Sequence, residues 1–351
     1  MTELKLTEGA RKFFSNPSPS YVSRHVAAEE LLDLSLGVLD PENPVSRYND
    51  PSLTRLKEAI SGVFQIIPDQ VCLGAGIDTM LESIPQLFEG GIIITDPDFP
   101  RFAEVGIRYD RKIHTMQRNS ASGFAFDDPI IGKILQNMES DQKIVMLSTP
   151  NNPTGQLIPL DYLHKLSERA DQGHLLALDL AYGEFAGLSY VQEVVNIASN
   201  SRNTIALLTF SKARGIAGIA RVGYGISNPS ISDAIEKWRL PFIVSGEAEA
   251  IGSITNGNLD AIISEVDEKR IFIEQIVAAN PSVDMIYNGK TNTILVKGID
   301  FDVSDYLLSI GIKTSPHPWI HDIDGTSLGY TRVTLGNWDA VNCLGDALQQ
   351  L

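Results

Sequence analysis

The run Ile205-Ala206-Leu207-Leu208-Thr209-Phe210-Ser211-Lys212 ends an apolar segment on a lysine, then opens into the loop Ala213-Arg214-Gly215-Ile216-Ala217-Gly218. Four apolar residues bounded by polar and glycine-rich sequence predict a fully buried strand that delivers Lys212 to its carboxyl end. The same rhythm recurs at Val71-Cys72-Leu73, Ile92-Ile93-Ile94, Ile144-Val145-Met146-Leu147, Leu175-Leu176-Ala177-Leu178 and Val222-Gly223-Tyr224, with amphipathic stretches between them. One of these stretches sets Leu160, Leu163 and Leu166 at helical spacing between Pro159 and Gly173. Strands alternating with helices predict an α/β fold with a mostly parallel sheet covered by helices. Ligands of such sheets bind at the carboxyl ends of the strands, so residues just after each run are the candidates for chemistry. Beyond residue 236 the pattern changes to a helical stretch from Asp260 to Ala279 and strand-like Thr293 to Val296 and Arg332 to Leu335. These predict a smaller α+β unit. The expected organisation is an N-terminal segment over residues 1–45, packing on the small domain and the active site, a large domain over 46–236 and a small domain over 237–351.

Composition narrows the function. The chain has 351 residues and 43% hydrophobic content, enough for two cores. Its 28 Lys and Arg against 44 Asp and Glu give a net charge of -16, which repels nucleic-acid phosphates and anionic membranes. No apolar run reaches the roughly 20 residues needed to cross a bilayer, and Met1-Thr2-Glu3-Leu4-Lys5 lacks a signal-peptide pattern. The expectation is a soluble cytoplasmic protein with no nucleic-acid or membrane partner. Cys72 and Cys343 are too few for a disulfide framework and lack metal-ligand spacing, so both read as core thiols and no metal is expected.

A strand-end lysine alone is a common solvated loop residue. Lys212 has more telling company: hydroxyls at Thr209 and Ser211, glycines at 215 and 218 that let backbone approach a phosphate, and Arg221 as a cation. Its amine can attack an aldehyde. Asp179, in Asp179-Leu180-Ala181-Tyr182, follows another strand; it suits either a helix N-cap or a buried carboxylate that keeps a pyridine nitrogen protonated. Tyr182 reads either as a core tyrosine or as a donor to a phenolic oxygen. Asn151-Asn152-Pro153-Thr154-Gly155 reads as a turn, with Asn152 also placed to donate to that oxygen. Gly74-Ala75-Gly76-Ile77-Asp78 joins a strand to a helix whose first amides make an anion site. A dinucleotide fingerprint competes here through Gly74, Gly76 and Asp96, but Thr79 occupies its third glycine position and Lys212, Arg221 and Asn152 go unused. An aldehyde, a pyridine nitrogen, a phenolic oxygen and a phosphate together describe pyridoxal phosphate.

With these motifs in this order, the chain resembles fold-type-I pyridoxal-phosphate enzymes, and within them the histidinol-phosphate aminotransferase group. The resemblance runs almost end to end. It implies a seven-stranded large-domain sheet, Lys212 as the Schiff-base lysine, Asp179 on the pyridine nitrogen, and Asn152 and Tyr182 on the phenolic oxygen. Ser211 and Arg221 would hold the phosphate, helped by Thr209 and by the backbone of Ala75, Gly76 and Ile77. Phe99 falls where the family usually stacks a tyrosine on the ring. Tyr48 matches a tyrosine that reaches the neighbouring subunit's phosphate, implying a homodimer with shared sites. Arg332, in Tyr330-Thr331-Arg332-Val333, matches the arginine that grips the substrate α-carboxylate.

Three departures from the family pattern bear on function. Leu180 replaces an acidic residue, one extra residue near Ala220 separates Lys212 from Arg221 and makes Arg214 a substitute phosphate ligand, and Ser315 stands where histidinol-phosphate enzymes place an arginine for the substrate phosphate. The last argues against a phosphorylated substrate. The expected activity is transamination of an amino acid. The alternative is an elimination or cyclisation resembling capreomycidine synthases, acting on a hydroxylated arginine-like amino acid, with Glu8 facing a guanidinium and His25 as an added acid or base.

Overall fold

The computed structural model describes residues 4–15, 50–139, 141–256, 258–322 and 324–351. Seven strands form the main sheet: β1 (Val71–Gly74), β2 (Gly91–Asp96), β3 (Ile113–Gln117), β4 (Lys143–Ser148), β5 (Leu175–Asp179), β6 (Thr204–Thr209) and β7 (Gly223–Ser227), in the order β1-β7-β6-β5-β4-β2-β3. β6, β5, β4, β2 and β3 pair in parallel, and β7 runs antiparallel between β1 and β6. The interior strands β4, β5 and β6 are buried at every position, as the continuous apolar runs predict for a sheet covered on both faces. β3, with His114, Thr115 and Gln117, lies at the sheet edge and lacks that signature, so its sequence does not advertise a strand. The helix expected around Leu163 spans Leu160–Ala170 and turns Leu163, Leu166 and Ala170 into one core face.

Because β7 alone is reversed among the seven, the carboxyl ends of β1, β2, β4, β5 and β6 share one edge of the sheet with the start of β7. Gly74, Asp96, Ser148, Asp179, Thr209 and Gly223 all end or begin strands there. This edge holds the site described below.

The smaller sheet has four antiparallel strands, β8 (Val283–Met285), β9 (Thr293–Gly298), β10 (Ser315–Pro316) and β11 (Thr331–Thr334), ordered β10-β11-β9-β8. It packs on the helices Leu259–Ala279 and Trp338–Gln349 through Ile273, Val277, Val296, Leu344 and Leu348. Tyr182, Phe185 and Ala213, from loops at the carboxyl edge of the large sheet, belong to this same core. Site loops and small domain are therefore packed as one body of side chains.

Three expectations change. The helix Glu247–Asn256 buries Ala250 and Ile254 in the large-domain core with Leu56, Ile60 and Phe64, so the small unit begins near Leu259 rather than at 237. An amphipathic helix declares that it has a buried face but not whose core receives it. The described part of the N-terminal segment lies on the large domain, not the small one: Thr7 N donates to Leu87 O at 2.8 Å, Glu89 N to Lys5 O at 3.0 Å, and Phe13 and Phe14 pack edge-on against Trp238. Cys72 is buried, but Cys343 is exposed on the last helix and is not a core thiol.

Candidate active site

A cavity of about 140 Å³ opens at the carboxyl edge, lined by Gly76, Ile77, Asp78, Phe99, Ser148, Asn152, Asp179, Ala181, Tyr182, Thr209, Ser211, Lys212 and Arg221. The loops that follow β1, β2, β4, β5 and β6 meet there, the last of them carrying Arg221 on its way to β7. Of the described cofactor candidates, only Ala75 is off the wall, one residue before Gly76. Tyr48 and His25 lie outside the described residues.

Asp179 forms the buried end of the cavity. Its Oδ1 accepts from Ala181 N at 2.8 Å. Burial pushes its carboxyl up to about 7; the Ala181 N–H opposes this, Asp98 and Asp78 add to it, and Lys212 pulls back. A carboxylate on the edge of protonation in a dry site can share a proton with a ring nitrogen. The Lys212 amine lies 5.0 Å from the centre of the buried Tyr182 ring and is exposed in the single chain.

The anion end is built from the start of the helix Ile77–Leu87. Its first turn has no side-chain cap, and Gly76, at φ +74°, leads into it. A Cβ on Gly76 would come within 3.1 Å of Arg221 Nη2, so glycine keeps this corner open while the guanidinium closes on it. Arg221 Nη1 donates to Ser211 Oγ at 3.3 Å. The extra residue near Ala220 is absorbed by a turn in which Ile219 N and Ala220 N both donate to Ile216 O, at 2.9 and 2.8 Å. Arg221 thus reaches the anion corner despite the longer spacing. Arg214 does not: its Nε donates to the buried Glu184 at 2.8 Å and its Nη1 to Ser253 O at 2.5 Å. The donor set fits pyridoxal phosphate: an amine, a proton-sharing carboxyl, and a glycine-lined helix start with a guanidinium and a hydroxyl for the phosphate.

Asn152 is half-buried, and its Oδ1 accepts from Arg332 Nη1 at 2.7 Å, a contact across 180 residues of sequence. With the carbonyl so engaged, the Asn152 amide N–H remains free to donate into the cavity. Arg332 enters from β11, beside Ser315 in the adjoining strand β10. Glu8, proposed for a substrate guanidinium, is not brought to the cavity: it sits on the exposed side of its helix, ion-paired with Lys12 one turn on. Sequence reasoning missed Ser148 and Asp98. Ser148 is the last residue of β4, the strand-end position that marked the other candidates, whereas Asp98 reads as a turn residue between Pro97 and Phe99.

The family described as aminotransferase class I and II matches residues 3–277. The histidinol-phosphate aminotransferase of Pyrococcus furiosus is 27% identical over 296 residues, covering 84% of this chain and 80% of that protein. Histidinol-phosphate aminotransferase 2 of Carboxydothermus hydrogenoformans is 30% identical over 277 residues, 75% of this chain and 71% of that protein. Among solved structures, the Sinorhizobium meliloti histidinol-phosphate aminotransferase in complex with pyridoxal-5'-phosphate superposes with a TM-score of 0.73 at 23% identity, over 87% of this chain and 82% of that one, a likeness of fold.

Proposed function

Because the chain belongs to the class I and II aminotransferases, we propose that it moves an amino group between an unphosphorylated L-α-amino acid and a keto acid, with Lys212 carrying the cofactor. It is a pyridoxal-phosphate-dependent aminotransferase. When bound, the cofactor supplies an aldehyde for amine exchange and a ring that withdraws electrons from the substrate α-carbon. The observation that carries the assignment of roles is the convergence of Lys212, Asp179, Asn152, Tyr182, Ser211 and Arg221 on one cavity. Asp179 holds the ring-nitrogen proton, Asn152 and Tyr182 donate to the phenolic oxygen, and Phe99 packs on the ring. Ser211, Arg221 and the amides at Gly76 and Ile77 bind the phosphate. The Lys212 amine would move the substrate α-proton as general base and acid. Arg332, aligned by Asn152, grips the substrate carboxylate.

The substrate class follows from the count of cations. Lys212 and Arg221 are the cationic side chains on the described cavity wall, and both are committed to the cofactor. Ser315, beside Arg332, offers only a hydroxyl. That leaves no further cation on the described cavity wall for a side-chain phosphate. Lys212, Ile219 and Arg221 are exposed in the single chain, with Ile219 at 66%; this flank is where a second copy would dock, bringing Tyr48 to its neighbour's phosphate. No observation favours the elimination or cyclisation alternative.

The test is a panel of amino acids and phosphorylated amines incubated with the holoenzyme and 2-oxoglutarate. Glutamate should form with an unphosphorylated amino acid as the better donor. Consumption of an amino acid without keto-acid product would overturn transamination, and a preference for phosphorylated donors would overturn the substrate class.

A further inference from the structure

Behind the cavity wall stands a carboxylate to which the reaction as described above gives no part. Asp98 is 7% exposed. Its Oδ2 accepts from Thr95 Oγ1 at 2.6 Å, and its Oδ1 accepts from Phe99 N at 2.8 Å and, in a short contact, from Ser148 Oγ. Ser148 is a hub in its own right: its Oγ accepts from Asn152 N at 3.1 Å and Asn151 Nδ2 at 3.0 Å. Ser148 is also the register partner of Asp179 across β4 and β5. One buried carboxylate therefore lies one hydrogen bond from Phe99 and two from Asn152, behind the strand neighbour of Asp179.

We propose that Asp98 is a positioning residue for the transfer reaction, fixing the Asn152 loop through Ser148 and the Phe99 ring through its own adjacent amide, while presenting a second acid behind Asp179. The proposal rests on the roles assigned above to Asn152, Phe99 and Asp179. The charged groups around this acid are few. Arg118, fully buried, donates through Nη1 to Phe124 O at 2.6 Å and through Nη2 to Pro97 O, and its guanidinium lies 4.5 Å from the Phe126 ring centre, so carbonyls and a ring hold it while its charge faces Asp98 and Asp96. On the cavity side Asp98 acts on Asp179, which also feels Asp78 and Lys212. Burial pushes Asp98 up to about 6 against the pull of Arg118, Ser148, Thr95 and the Phe99 N–H, so it is ionised above that pH and adds to the upward push on Asp179. A hydrogen-bonded network of this kind acts as a unit.

Asp98→Asn keeps the shape and the Phe99 and Ser148 contacts but deletes the charge. In the holoenzyme it should move the pH midpoint of the bound cofactor's absorbance down by about half a unit or more, because a negative charge favouring the protonated chromophore is gone. Its kcat should fall by about tenfold. Ser148→Ala keeps the charge and releases the Asn152 backbone N–H; it should lower kcat with the midpoint in place. Asp98→Ala, which also drops the Ser148 contact, combined with Ser148→Ala should lose less than the product of the two single losses, since the two residues share one route. An unmoved midpoint with kcat within twofold in Asp98→Asn would overturn the proposal, and fully multiplicative losses would overturn the route through Ser148. If Asp98→Asn does not fold, Ser148→Ala decides: unchanged kcat refutes the positioning role. Failure of the functional reading itself looks different, as the unsubstituted protein would form no borohydride-reducible adduct at Lys212.

Discussion

Replacing Arg214 by alanine removes half of an ion pair almost sealed from water: the Arg214 and Glu184 side chains are 4% and 8% exposed, with Nε and Oε1 at 2.8 Å. Burial raises the Glu184 carboxyl, and the Arg214 charge and hydrogen bond pull it back down. Deleting one partner of such a pair leaves the other buried and uncompensated, at a cost of about 3–5 kcal/mol. The Ser253 carbonyl loses its donor as well. Arg221 is the opposite case. It is exposed, so Arg221→Ala should change the stability of the cofactor-free protein by no more than about 0.5 kcal/mol. It would, however, remove a charged hydrogen-bond donor to the phosphate, a loss of about 1.5–3 kcal/mol or roughly 10- to 150-fold in cofactor Kd. Urea denaturation of the apo-proteins and absorbance titration with pyridoxal phosphate measure the two effects separately. Should Arg221→Ala bind cofactor like the unaltered protein while a folded Arg214→Ala loses affinity, the assignment of the two arginines is reversed. An Arg214→Ala loss under about 1 kcal/mol would show that the pair is not buried as described.

Arg332→Ala should lower kcat/KM for the amino acid by about two to three orders of magnitude, the scale of deleting one side of a hydrogen-bonded charge pair, with cofactor affinity unchanged; a steady-state KM equal to that of the parent would contradict carboxylate binding. Asp179 makes a pH prediction. Its carboxyl is raised to about 7 in the fold against about 4 when unfolded, so its protonated form stabilises the apo-protein below pH 4, and that contribution is lost as pH rises through 7. Apo-protein should therefore lose thermal stability relative to Asp179→Asn between about pH 4 and 7, and level off above that. Parallel melting curves for the two apo-proteins across that range would argue that Asp179 is solvated.

Local sequence determined a good deal here. Buried parallel strands are written as uninterrupted apolar runs, and in such a sheet the next residue after a run is delivered to the functional edge. The sequence could place Asp179 just after one run and Lys212 and Asn152 in the loops after two others, with Gly76 between strand and helix, and all four line the same cavity. Tertiary structure alone decided what those residues touch. Arg332 meets Asn152 across 180 positions, Arg214 turns away to Glu184, and the helix Glu247–Asn256 joins the first core rather than the second. Asp98 and Ser148 stayed hidden because an aspartate between prolines and a serine at a strand end look like turn chemistry until burial forces them to satisfy one another. Periodicity reports which face of an element is apolar; it carries no information about which distant group will occupy the space in front of that face.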